Sequence, residues 1–302
     1  MPDDKTVIAK QRFVKFPCGD PAFHVYDGCN ERACLTFGRY FNRRILMNKL
    51  LKTVAAGVIG LAMTGAVQAQ SALNEILNDG VLKVGTTGDW NPMSLKDPAT
   101  NSYKGFDIDV MSELANDLGV KVEFVATDWK TLVNGVVAGK YHITGSASIS
   151  PARMKAAGFS ESYLAVQIFP FTLEENADKF DGYDSINQPG VTVATTLGTT
   201  FEALAREWFP NAEIKVVEAP ARGFQEVIAG RADVFITSNI EGATLKDKFP
   251  IAQVKNAGPR SPSPIAMLLP QTDQVWINYV NNWVKVKEAK GFFDKTKEKW
   301  GL

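Results

Sequence analysis

Three hydroxyl side chains, Ser146, Ser148 and Ser150, stand ahead of Pro151 and a single arginine, Arg153, within the stretch Thr144 to Tyr163. Pro151 suits the first turn of a helix, where its missing N–H is not needed, and Ser150 before it is a good N-cap. Arg153 then falls in that first turn, beside unsatisfied backbone N–H groups and the positive end of the helix dipole. A cation there opposes the dipole, so helix stability does not explain it. A guanidinium fork, serine hydroxyls and free N–H groups together suit one carboxylate. The alternative is a solvated arginine on a loop.

The elements that must position this stretch alternate between strand and helix. Val81 to Gly85 is a β-branched run ending in the turn chemistry of Thr86-Thr-Gly-Asp89. Ile108, Met111, Leu114, Ala115 and Leu118 recur at helical spacing across Asp107 to Leu118. Val120 to Val125 alternates like a strand, and Thr131 to Ala138 reads as helix. Val191–Ala194, Ile214–Val217 and Val234–Thr237 are further strands, with helices over Thr200–Trp208 and Arg222–Ala229. This order predicts an α/β protein with mostly parallel sheets flanked by helices, whose ligands bind at the carboxyl ends of strands. Two segments look like crossings between lobes, Leu164 to Leu173 and Arg260 to Pro270. If both join the same pair of lobes, the C-terminal helix (Trp276 to Lys290) returns to the first. The expected division is lobe 1 over 70–165 plus 262–302, and lobe 2 over 166–261.

The first 70 residues follow a different logic. Met47-Asn-Lys-Leu-Leu-Lys52 is a basic start, Thr53 to Val67 is small and apolar, and Val67-Gln-Ala69 offers a small-x-small cleavage pattern. We expect a signal peptide over 47–69, a mature chain from Gln70 and a periplasmic location. Residues 1–46, which hold all three cysteines, read as an extension from a misassigned start codon. The whole chain has 33 basic and 33 acidic residues; 1–69 holds 10 and 5 of them, leaving 23 and 28 from Gln70 on. That mildly acidic balance offers no footprint for nucleic acid or anionic membrane. Of the two histidines only His142 lies past residue 70. His-based metal sites and Ser-His-Asp catalysis therefore lack material, and no cofactor is expected.

Five segments, in this order and spacing, carry a resemblance: Gly80 to Pro92, Gly105 to Val110, the Arg153 stretch ending at Tyr163, Gly198-Thr-Thr200, and Gly230-Arg-Ala-Asp-Val234. From Leu73 to Leu302 the chain resembles the periplasmic solute-binding proteins of the polar amino-acid ABC transporter type (family 3), including their cyclohexadienyl dehydratase branch. The resemblance implies a two-lobed type II periplasmic binding protein fold with a ligand cleft between the lobes. It also implies a small carboxylate-bearing ligand and an inner-membrane ABC permease as partner; we expect a monomer. Carried over by position, Arg153 would pair with the ligand carboxylate, with Ser146 and Ser148 donating from the same loop. Thr199 or Thr200 would close from the second lobe. Trp90 and Trp129 fall where the family sandwiches its ligand, with core packing as the alternative.

Two positions depart from the simplest family member. Ser238 stands where amino-acid transporters carry an aspartate for the ligand ammonium, so Asp89 or Glu241 would have to substitute. Glu241, within Thr237-Ser-Asn-Ile-Glu-Gly242, resembles the general acid of the dehydratases, which protonates the leaving hydroxyl of prephenate or arogenate as CO2 departs. Thr200, however, stands where the dehydratases have asparagine. The alternative for Glu241 is a first-turn glutamate favoured by its helix dipole. Two functions therefore remain: an importer's binding receptor, and an exported dehydratase with Glu241 as its acid.

Overall fold

The computed structural model describes residues 70–302; the expected extension, signal peptide and cysteines lie outside the described residues. Helix α1 (Ala72–Asp79) leads into β1 (Val81–Thr86), followed by a small antiparallel sheet of β2 (Asp89–Trp90), β3 (Ser94–Lys96) and β4 (Tyr103–Lys104). Then come α2 (Phe106–Leu118), β5 (Lys121–Ala126), α3 (Leu132–Val137), β6 (Ile143–Thr144), β7 (Ser146–Ser148), α4 (Pro151–Met154) and β8 (Gly158–Phe159). Strand β1 pairs in parallel with β5, Val81 opposite Lys121, and on its other side with β6. The spacing read over Asp107–Leu118 does its expected work: Ile108, Met111, Leu114 and Ala115 are buried. Leu118 packs against the edge of the same core.

The chain crosses on β9 (Leu164–Leu173), passes a 3-10 turn (Glu174–Lys179), and builds a second α/β layer. Its elements are α5 (Gly182–Ile186), β10 (Thr192–Thr196), α6 (Thr200–Trp208), β11 (Glu213–Val217), α7 (Gly223–Ile228), β12 (Val234–Ser238), α8 (Asn239–Lys246) and β13 (Ile251–Gln253). Strand β10 lies parallel between β11 and β12. The chain returns on β14 (Arg260–Leu269) and ends in α9 (Gln274–Ala289) and α10 (Phe292–Trp300). Both long strands run antiparallel to their neighbours, β9 against β12 and β14, and β14 against β7. Antiparallel pairing accompanies a chain that leaves one layer and comes back, whereas the β/α repeats inside each layer stay parallel.

Separate cores hold the two layers. One gathers Leu82, Val84, Phe106, Met111, Leu114 and Ile143 with Trp276, Val280, Trp283 and Phe293 from the C-terminal helices. The other gathers Ile186, Val193, Ala205, Phe209, Val234 and Ile236. Asp273 fastens α9 to the start of the described chain. Its carboxylate caps α9 by accepting from Trp276 N at 2.9 Å and accepts from Ala72 N at 2.7 Å. His142, just ahead of β6, is buried and its Nδ1 accepts from Lys83 N at 3.1 Å, which makes it part of the framework.

Candidate functional site

Ser150 does cap α4: its Oγ accepts from Arg153 N at 3.3 Å, with Pro151 at the first helical position. This places Arg153 at the carboxyl end of β7. The solvated alternative fails, because Arg153 is only 8% exposed. Its Nη1 donates to Ser148 O at 3.1 Å and its Nη2 to Gly198 O at 3.3 Å, on the opposite layer. No carboxylate pairs with it among the described residues, and burial pushes the guanidinium down to about 10. It stays charged at neutral pH, so the fold keeps a buried cation whose partners among the described residues are carbonyl dipoles.

Around it, Trp90, Trp129, Ser148, Thr199, Thr200 and Phe201 line a cavity of about 20 Å³. The two tryptophan rings stand edge to face, 5.9 Å apart at 72°. Trp129 Nε1 donates to Asp89 at 3.0 Å, while the buried Trp90 Nε1 has no acceptor among the described residues. Arg153, Thr199 and Thr200 also face a second pocket of about 500 Å³, bounded by Ile149, Leu204 and Pro264. Arg153 thus borders two pockets, one narrow and aromatic, one wide.

The layers touch directly at this cleft. Gly198 is held at φ +80, and a Cβ there would stand 2.5 Å from Lys130 Cα. Only glycine permits both the left-handed backbone and that approach. Gly198→Ala should therefore hold the lobes apart: affinity for a cleft ligand should fall at least tenfold, while stability drops by only about 1–2 kcal/mol. Isothermal titration beside denaturant unfolding separates the two effects.

Arg222, the last residue before α7, joins the site although the sequence motifs do not include it. It is 6% exposed. Nη2 donates to both oxygens of Glu241, at 2.8 and 3.0 Å. Nη1 donates to Asp89 O at 2.6 Å and lies 2.9 Å from Asp89 Oδ2. Thr237 Oγ1 adds a hydrogen bond to Glu241. Burial raises the Glu241 carboxyl above its usual range, against the pull of Arg222 and Thr237. With both oxygens accepting from one guanidinium, the geometry holds Glu241 as a carboxylate. Like Arg153, Arg222 is an arginine at a helix start, and that is the sequence signal that marks it.

Two expected ligand contacts are placed elsewhere. Ser146 shares a strand face with Ser148, but its Oγ donates to the buried Asp107 at 2.5 Å and meets Tyr163 Oη at 2.8 Å. Its hydroxyl is already committed inside the first layer. Ser238 is fully buried and caps α8, its Oγ accepting from Glu241 N at 3.2 Å. Thr199 likewise caps α6, yet remains at the cavity wall. Glu241 does occupy the first turn of its helix, as its structural alternative held, but its carboxylate is turned to Arg222.

Comparison with known proteins agrees with this architecture. The chain is 34% identical to cyclohexadienyl dehydratase of Pseudomonas aeruginosa, over 82% of this chain and 92% of that one. It is 25% identical to an L-cystine-binding protein of Bacillus subtilis, over 74% and 82%. Among solved structures, an ancestral amino acid-binding protein described as a precursor of cyclohexadienyl dehydratase superposes with a TM-score of 0.71 at 38% identity, covering 76% of this chain and 99% of that one. The fold is accordingly the two-lobed type II periplasmic binding protein fold. Residues 82–302 match the bacterial extracellular solute-binding proteins, family 3, and the chain belongs to that family.

Proposed function

We propose that this protein is the periplasmic receptor of an ABC importer, closing lobe 1 (70–165 with 262–302) and lobe 2 (166–261) on a small carboxylate-bearing solute. The observation that carries this reading is Arg153, a buried guanidinium without an acidic partner among the described residues, at the cavity of Trp90 and Trp129. A carboxylate supplies the missing counter-charge and accepts in the fork geometry a guanidinium prefers. Trp90 Nε1 is a second unmet donor at the same wall. Ser148, Thr199 and Thr200 complete the polar lining, and Asp89 acts through Trp129 and Arg222. The cavity beside Trp90 and Trp129, about 20 Å³, is too small for an amino acid, so seating one there requires the lobes to part and closure to follow. An inner-membrane permease then takes the solute from a monomeric receptor that uses no cofactor.

A thermal-shift series of organic acids and amino acids tests the reading. A true ligand at 100 times its Kd should add about 2.7 kcal/mol. No shift with any carboxylate would remove it.

One second reading has a specific basis, the relative that is a cyclohexadienyl dehydratase. Glu241 would give its proton to the departing hydroxyl of prephenate as the ring carboxylate leaves as CO2, with Arg153 holding the side-chain carboxylate. In the present geometry the carboxylate is clamped by Arg222, so the acid would first have to lose that partner. Incubation with prephenate should yield phenylpyruvate no faster than the spontaneous rate. Turnover that Glu241→Gln abolishes would overturn the receptor reading.

A further inference from the structure

We infer that Arg222 is a built-in cationic plug: its guanidinium fills the acidic half of the cleft and excludes ligands that carry a cation there. The inference deepens the receptor reading, resting on it only in taking the Trp90–Trp129 cleft as the ligand site. Two carboxylates from different parts of the fold converge on this one guanidinium, Asp89 from β2 and Glu241 from α8. With Asp89 O and the indole of Trp129 alongside, they form what a free guanidinium or ammonium would need: two anions, a carbonyl and an aromatic wall.

Three observations distinguish a plug from an ordinary structural ion pair. Arg222 precedes the first turn of α7, where a cation opposes the helix dipole and a Ser, Thr or Asp would cap better. Its Nε is buried with no acceptor among the described residues, so the side chain is held by its tip alone. Its contact with Asp89 spans the cleft, which must open for any ligand, whereas a core ion pair would stay within one layer.

The charges make the consequence definite. Asp89 and Glu241 both pair with Arg222, while Arg153 has no acidic partner among the described residues, so the four charges sum to zero but are unevenly paired. An incoming carboxylate gives Arg153 the direct counter-ion it lacks; an incoming cation finds both acids already on Arg222 and must displace it or stay unpaired. Removing Arg222 reverses the preference, because the two acids then lack a cation while Arg153 still takes a carboxylate. The site would accept a molecule with both groups.

The test compares the purified protein with Arg222→Ala by titration calorimetry against L-arginine and propylguanidinium, at matched ionic strength. The variant should bind both at least tenfold more tightly than the unsubstituted protein, and adding Glu241→Gln should erase most of that gain. If Arg222→Ala does not fold in buffer, millimolar propylguanidinium should restore cooperative unfolding by occupying the two carboxylates. Equal affinity in the two proteins, or an unfolded variant that propylguanidinium does not rescue, overturns the inference. Failure of the receptor reading is a different result, the absence of any carboxylate ligand, so the two failures are distinguishable.

Discussion

Arg153→Met is expected to abolish carboxylate binding while leaving the unliganded protein as stable as before, or up to about 2 kcal/mol more stable. The two effects have opposite signs because the same charge is a cost without ligand and the chief attraction with it. In the unliganded protein the guanidinium is desolvated, and among the described residues only Ser148 O and Gly198 O answer it. Methionine fills much of the same volume without that desolvation cost. A ligand carboxylate that loses a buried partner of this kind gives up about 2–5 kcal/mol, at least thirtyfold in Kd. Denaturant unfolding of the unliganded proteins and calorimetric titration of the best carboxylate make the comparison. A variant that loses stability yet keeps its affinity would make Arg153 a structural residue and sink the binding assignment.

The second large effect lies beneath the same loop. Asp107 is 6% exposed, and among the described residues no cation pairs with it. Ser146 Oγ donates to it at 2.5 Å, and Tyr163, itself pushed well above its usual range by burial and by Asp107, closes the cluster. Burial raises the Asp107 carboxyl from 3.8 to about 7, with the Ser146 hydrogen bonds opposing. The folded state therefore holds this proton more tightly than the unfolded chain does. That contribution is fully present below pH 3.8 and is lost as the pH rises through about 7. At about 1.4 kcal/mol per pH unit, the loss is on the order of 4 kcal/mol. Asp107→Asn keeps an acceptor for Ser146 and removes the proton. Its stability relative to the unsubstituted protein should rise between pH 4.5 and 8 by an amount approaching that figure. Denaturation curves at both pH values read it directly; a difference independent of pH would mean that Asp107 is not protonated in the fold.

These expectations show how unevenly the site was legible. Arg153 could be found from Ser150-Pro151 and the helix dipole alone, because a cap, a first-turn proline and a misplaced cation are local features. The helix over Asp107–Leu118 and the strands around it were legible for a similar reason, since burial of one face imposes a period on the sequence. By position alone, Ser146 and Ser238 are expected ligand contacts. Which hydroxyl is free depends on what lies across from it, and that is Asp107 for the first and an α8 backbone N–H for the second. Arg222 carried a usable local signal, but its meaning did not lie in its own segment. It comes from Asp89 and Glu241, which are 133 and 19 residues away.

By itself, then, the sequence determined the alternation of elements, the cap that begins α4, and the presence of an arginine that helix stability does not explain. These follow from periodicity and local backbone chemistry, which act over a few residues. Only the tertiary structure decided the charge state of the cleft. Two acids from separate segments both pair there with Arg222, and the arginine of α4 has no counter-ion among the described residues. Electrostatics at that range depends on which groups are desolvated together, and burial is a property of the folded chain.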